Sequence, residues 1–333
     1  MKRLLFVLLP TVLTLLSGCA HCSDHAMLST SAEIAGYGGP SATAVAEGSW
    51  VQVDNALPRD HSYAPVVEAA GRVWLLGARY EEDVWSVPVE DFGDPEASWR
   101  EEPSLDSFGG YAGAVVVNDI IYAPGGWNGP ETLEILDAAD SSAGWVSGPS
   151  MNEPRRRSAT IAVGTNVYVI GGDSSPKTME RLDTTDLSGG WEMVPGEMTT
   201  SRRSPCVFLV GDHIYVAGDR RDRSTGSYTV ERFDTTQPEQ GWERLDAKLT
   251  ANRGYAAAMT ADGHIYVVGG FKNSTRVERL DTSEPTSSWE DVPRTVTGMY
   301  YPAGIVIDSK LYIVGGSHPR CCEGSKIIQI IGE

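Results

Sequence analysis

Tyr168-Val-Ile-Gly171-Gly172 and Tyr266-Val-Val-Gly269-Gly270 are two copies of one pattern: an aromatic residue and a short apolar run ending in a glycine doublet. The pattern returns at Tyr122-Ala-Pro-Gly125-Gly126 and Tyr312-Ile-Val-Gly315-Gly316. It returns in altered form at Trp74-Leu-Leu-Gly77-Ala78 and Tyr215-Val-Ala-Gly218-Asp219. From Gly77 to Gly315 the copies step by 48, 46, 47, 51 and 46 residues. A period of that length marks supersecondary units that bury their faces against one another, and it decides the architecture before local propensity does.

A second series keeps the same beat. Tryptophans at 50, 99, 145, 191, 242 and 289 step by 49, 46, 46, 51 and 47 residues, and all but Trp50 follow a doublet by 20 to 24. Between doublet and tryptophan lie Glu134-Ile-Leu-Asp137, Glu180-Arg-Leu-Asp183, Glu231-Arg-Phe-Asp234 and Glu278-Arg-Leu-Asp281, whose alternation suits a strand with one buried face. Another apolar run, such as Ser158-Ala-Thr-Ile-Ala-Val163, precedes each doublet. Each unit therefore supplies four short strands, the content of one propeller blade, and the chain reads as all-β. The doublets follow strands, but neither a helix nor a Gly-x-x-x-x-Gly-Lys pattern comes after them, which argues against a phosphate cradle.

On these four features (doublet, preceding tyrosine, Glu-x-x-Asp strand and later tryptophan) residues 49–332 resemble the kelch-repeat family of β-propellers. The resemblance implies a six-bladed kelch-type β-propeller, with departures at Trp74, Gly77-Ala78 and Gly218-Asp219. The register also predicts how the ring closes. The sixth unit has strands at 301–308 and 310–316 and a third at Lys326-Ile-Ile-Gln-Ile-Ile331, and no tryptophan follows. The unmatched Ser49-Trp-Val-Gln-Val53 is the expected outer strand of that last blade, which removes an exposed sheet edge.

Ahead of the ring, Met1-Lys-Arg, an apolar stretch from Leu4 to Leu16 and Leu16-Ser-Gly-Cys19 form a leader too short to span a membrane comfortably. The leader resembles a bacterial lipoprotein signal peptide. This implies cleavage after residue 18, lipidation of Cys19, and anchoring to the cell envelope, in the outer membrane of a Gram-negative host. Residues 19–48, rich in Ala, Ser, Gly and Thr, read as a tether, and 49–333 as one propeller domain. The chain carries 27 basic and 45 acidic residues, a net charge of −18, and −20 once Lys2 and Arg3 leave with the leader. That balance argues against nucleic acid or an anionic bilayer as partner. Cys206 reads as a small buried hydrophobe, while Cys321-Cys322 admits free thiols or a disulfide in an oxidising compartment.

Chemistry is expected at the channel mouth. Sixteen residues before each doublet stand His61, Gly109, Arg156 (allowing a turn one residue shorter), Arg202, Arg253 and Met299. Family members that bind acidic peptides place arginines there, so the resemblance implies ligand binding by Arg156, Arg202 and Arg253. Two residues further on come Tyr63, Tyr111, Ser158, Ser204, Tyr255 and Tyr301. Guanidinium groups suit carboxylate, sulfate or phosphate, and tyrosine rings suit stacking on a sugar or peptide. The competing reading is that these arginines pair with acids of neighbouring loops. His213 and His264 recur at one repeat position, and His21 and His25 fall in the tether, so no metal site and no cofactor is expected. The expectation is a monomeric, surface-anchored binding module for an anionic, carbohydrate or protein ligand. The alternative is an enzyme resembling periplasmic six-bladed kelch mutarotases of sialic acid, for which no acid–base pair can be carried over.

Overall fold

The computed structural model describes residues 50–331 apart from 64, 79–80, 108–109, 111–112, 220–227, 271–274, 285–286, 293–294, 296 and 318–324. The leader, Cys19, the tether, Tyr111 and Cys321-Cys322 lie outside the described residues. Within them, helix is confined to short 3-10 turns, and the strands form six antiparallel four-stranded sheets. Blade three is typical: Ala159–Val163, Asn166–Ile170, Met179–Asp183 and Trp191–Met193, from the axis outward. The inner strands Val66–Ala69, Val115–Val117, Ala159–Val163, Cys206–Val210, Ala256–Ala261 and Ala303–Ile307 pack in sequence around the axis.

The ring closes as its register predicts. Val51–Val53 is the outer strand of blade six, with Val51 opposite Ile330, Gln52 opposite Gln329 and Val53 opposite Ile328. The first and last described strands thus share one ladder, which ties the two ends of the ring together.

Strand alternation explains where the core sits. In Asn166–Ile170, Val167 and Val169 face blade two, while Tyr168 and Ile170 face blade four. Repeated in every blade, this divides the core into six clusters, one per blade interface. The aromatic before each doublet packs forward onto the next blade, and each tryptophan packs backward onto the previous one. Tyr122 and Trp191 therefore share one interface, and Tyr215 and Trp289 another. Three of the tryptophans also brace the loop that leads into their own blade: Nε1 of Trp99, Trp145 and Trp191 donates to the carbonyls of Ala56, Pro103 and Pro149.

Both ends of the Glu-x-x-Asp strand have polar work. Asp183, Asp234 and Asp281 accept from the amide and hydroxyl two residues on (Thr185, Thr236 and Ser283), closing a turn and lowering each carboxyl's pKa. The glutamates at the other end are fully buried. Glu180 accepts from the amides of Asn152 and Glu153, and Glu231 from those of Thr199 and Thr200.

Each of these two carboxylates, and that of Glu278, also holds an arginine with no exposed surface. Arg155 Nε lies 2.9 Å from Glu180, Arg202 Nη2 2.7 Å from Glu231, and Arg253 Nε 2.7 Å from Glu278. Each arginine also reaches backbone: Nη1 of Arg155, Arg202 and Arg253 donates to the carbonyls of Gly171, Gly218 and Gly269, the first residue of each doublet step. Burial lowers the pKa of the Arg202 and Arg253 guanidinium groups and their glutamates oppose it. At three blades the arginine is thus a bolt between the approach loop, the doublet and the third strand.

Two outcomes follow from this architecture. Deletion of residues 49–54 strips blade six of its outer strand, and the single cooperative unfolding transition seen by calorimetry should be lost. Replacing Arg202 or Glu231 by Ala leaves a buried charge unpaired and should cost about 3–5 kcal/mol in denaturant unfolding. The apolar pair Arg202→Met with Glu231→Leu should cost less than either single change; an Arg202→Ala protein that unfolds like the wild type would contradict the bolt.

Candidate functional site

The structure redraws the ligand-binding set expected from sequence. Arg202 and Arg253 stand at the expected repeat position but lie inside the blades, engaged by Glu231 and Glu278. Their partner in blade three is Arg155, not Arg156: a strict count of sixteen before Gly171 gives Arg155, and no shorter turn intervenes. His61 holds the position in blade one, buried, with its carbonyl accepting from Gly316 and its amide donating to Ser325. Met299 packs in the interface between blades five and six.

The same one-residue correction moves the tyrosine position. Fourteen before each doublet stand Tyr63, Arg157, Ser204, Tyr255 and Tyr301, with Tyr111 of blade two outside the described residues. All five described members have left-handed backbone, with φ of 63°, 58°, 51°, 65° and 57°. That conformation is unfavourable for tyrosine and arginine, and here the neighbouring blades enforce it. The amide of Ser204 donates to Arg157 O at 2.7 Å, that of Tyr255 to Ser204 O at 3.0 Å, and that of Tyr63 to Tyr301 O at 3.3 Å. These residues form a collar of backbone hydrogen bonds around the axis and aim their side chains at the channel.

The collar is chemically lopsided. On the side of blades five, six and one, the Tyr301 ring lies 3.5 Å from that of Tyr63 and 3.8 Å from that of Tyr255, centroid to centroid. Desolvation, with the other two phenols beside it, pushes the Tyr301 pKa upward. On the side of blades three and four the collar carries Arg157 and the small Ser204. Between them opens a cavity of about 270 Å³ that runs along the inner strands, past Ser158, Thr160 and Cys206. The Ser158, Thr160 and Ser204 hydroxyls are buried with no hydrogen-bond partner among the described residues. Burial pushes the Cys206 thiol up to about 12, which leaves it an unreactive wall residue.

Arg157 lines this opening, and next to the collar residues in the chain stand Arg156 and Arg203, basic groups that the bolts do not use. Arg156 and Arg157 place their guanidinium carbons 4.9 and 5.4 Å from the centre of the Trp127 ring. Arg157 is also paired with Asp173 at 2.5 Å. Arg203, next to Ser204, gives its amide to Asp219. Arg156 and Arg203 have no ion pair among the described residues, and the Nε atom of each is buried without a partner. Arg157 and Arg203 are legible in the sequence only as basic neighbours of the counted arginines, and nothing in the repeat pattern marks Trp127 or Asp173. A strict count from the doublets recovers Arg157.

Comparison with known proteins fits this geometry. Residues 252–295 match the family described as Kelch motif, a stretch that holds Arg253, Gly269-Gly270, Glu278 and Trp289. The solved structure of YjhT superposes with a TM-score of 0.68 at 13% identity, covering 83% of this chain and 96% of YjhT. A search of curated proteins by sequence found no match. With the Kelch motif matched at residues 252–295, the doublet step and tryptophan recurring in each of the six four-stranded blades and the arginine bolt in three of them, the chain is a six-bladed β-propeller that carries a Kelch motif.

Proposed function

We propose that the channel mouth binds a small anionic ligand with a ring or hydroxyl-bearing body, and that the protein is a binding module. The observation that carries this is the pair Arg156 and Arg203. They come from adjacent blades, are half-buried, and have no ion pair among the described residues, in a chain where acids outnumber bases by 18. A partly desolvated cation left without a counter-ion is costly, and counter-ions are plentiful in this sequence, so the arrangement suits an external anion. Trp127 and the Tyr63–Tyr301–Tyr255 cluster offer ring faces, and Ser158, Thr160 and Ser204 offer uncommitted hydroxyls. A carboxylated or sulfated sugar, or an acidic side chain of a partner protein, has this chemistry.

A binding role is favoured over a sugar mutarotase by what lines the cavity. Among the described residues its titratable groups are Tyr63, Arg157, Cys206, Tyr255 and Tyr301. Proton transfer at neutral pH needs a group poised near 7, and burial drives both Tyr301 and Cys206 upward, away from it. The leader and Leu16-Ser-Gly-Cys19 support export with lipid on Cys19, the propeller hanging from residues 20–48. The ring then works as a monomer at the envelope surface.

Screening of a glycan and acidic-peptide array, followed by titration calorimetry of the hits, tests the reading. Arg156→Ala with Arg203→Ala should weaken binding at least about tenfold, as loss of charge-assisted hydrogen bonds does, with an unchanged melting temperature. Undiminished binding by the double variant would refute it. Cys19→Ala should move the protein from the membrane fraction to the soluble fraction of its host.

A further inference from the structure

Asp173 directly follows the third doublet, where the other units have Arg79, Trp127, Arg220, Phe271 and Ser317. It is the one acid at that repeat position, set beside the most basic part of the mouth. Its amide donates to Arg156 O at 2.8 Å, and its Oδ2 takes Arg157 Nη1 at 2.5 Å. Its Oδ1 is buried and has no hydrogen-bond partner among the described residues. The bolts show what a purely structural acid looks like in this fold. Glu180 and Glu231 are wholly buried and accept on both oxygens, whereas the side chain of Asp173 is 21% exposed and uses one.

We infer that Asp173 sets the charge specificity of the mouth: it commits Arg157, leaves Arg156 and Arg203 for one negative group, and repels a second. The inference rests on the anion-binding reading above and narrows its ligand class. The mouth takes a monoanion, carboxylate or sulfate ester, that carries a hydrogen-bond donor beside its charge. The donor answers Asp173 Oδ1, an acceptor that is costly to bury unsatisfied. A phosphomonoester, dianionic above neutral pH, meets the carboxylate with an extra charge. At separations of several ångströms and an effective dielectric between those of protein surface and water, one such repulsion is worth about tenfold in affinity.

Calorimetry at pH 8 with D-glucuronate as monoanion and D-glucose 6-phosphate as dianion tests the assignment. The wild type should prefer glucuronate. Asp173→Asn, which keeps the shape and an acceptor oxygen, should tighten glucose 6-phosphate about tenfold while shifting glucuronate by less than about threefold. Asp173→Ser serves the same comparison if the Asn variant melts early. Equal changes for both probes, or weaker binding of both, would reduce Asp173 to a structural partner of Arg157 and overturn the inference. The underlying reading fails separately: both probes would then bind Arg156→Ala with Arg203→Ala as tightly as the wild type. Binding of neither probe by wild type or Asp173→Asn would remove the specificity assignment itself.

Discussion

Where one blade's doublet passes the next blade's approach loop, two backbones come closer than any side chain allows. A Cβ on Gly125 would lie 2.6 Å from the carbonyl oxygen of Arg155, and one on Gly218 2.7 Å from that of Arg253. Both glycines also have positive φ, 77° and 79°, so glycine is required twice over. The close pass fixes the pitch of the ring, since it sets how near consecutive blades approach at the axis. It also creates a debt of buried carbonyls, because the doublet and the loop opposite it lie away from water. The arginine bolt answers that need. Its guanidinium donates to a doublet carbonyl, a neighbouring backbone carbonyl and a carboxylate at once, which no apolar residue of similar volume could do.

This changes how the charge of the chain is to be read. A buried ion pair is poor evidence for stability taken alone, since desolvation offsets most of the Coulomb attraction. Here the pair is worth more than its attraction, because it also closes the hydrogen-bond requirement of two loops. Arg155, Arg202 and Arg253 are therefore withdrawn from the outer surface together with Glu180, Glu231 and Glu278, so the surface keeps its net acidity with three fewer arginines on it. Against such a background, the half-buried Arg156, Arg157 and Arg203 stand out as a local reversal of field. Field focusing in a concave mouth adds to the effect.

The fold was almost wholly legible in the sequence because its determinants are periodic. Doublets, tyrosines and tryptophans each recur with the blade, and the unmatched Trp50 segment pointed to the closing strand that pairs with Ile328–Ile331. The site was legible only as a region. Arginine at doublet minus sixteen has one appearance in sequence whether it faces a ligand or a buried glutamate, and what decides between these is Glu180, Glu231 and Glu278 lying opposite. The Glu-x-x-Asp strands were recognised as a pattern, but a pattern of strand burial does not announce that its first residue is a counter-ion. Nor does a tyrosine announce left-handed backbone. The collar at Tyr63, Tyr255 and Tyr301 exists because inter-blade hydrogen bonds impose a conformation that tyrosine does not choose.

The departures between units sort themselves by the same logic. Blade six replaces the buried glutamate by Gln329 and the arginine by Met299, and Gln329 still caps its loop, accepting from Thr297 N and donating to Thr297 O. Blade two keeps Glu134, which takes the amides of Asp106 and Ser107 and the Ser107 hydroxyl, with glycine at the arginine position. A neutral amide or a lone loop-capping carboxylate therefore suffices to build a blade. The full bolt is confined to the contiguous blades three, four and five, and Arg156, Arg157 and Arg203 ride on the backbone of the first two of them. A collar residue can be held in left-handed conformation, with its charge half out of water, only if the residues beside it are immobile. Bolting Arg155 and Arg202 into the blades holds their neighbours in that posture. Support and channel lining are thus divided between near neighbours of one loop: the buried arginine holds the loop, and the residue two places after it lines the channel.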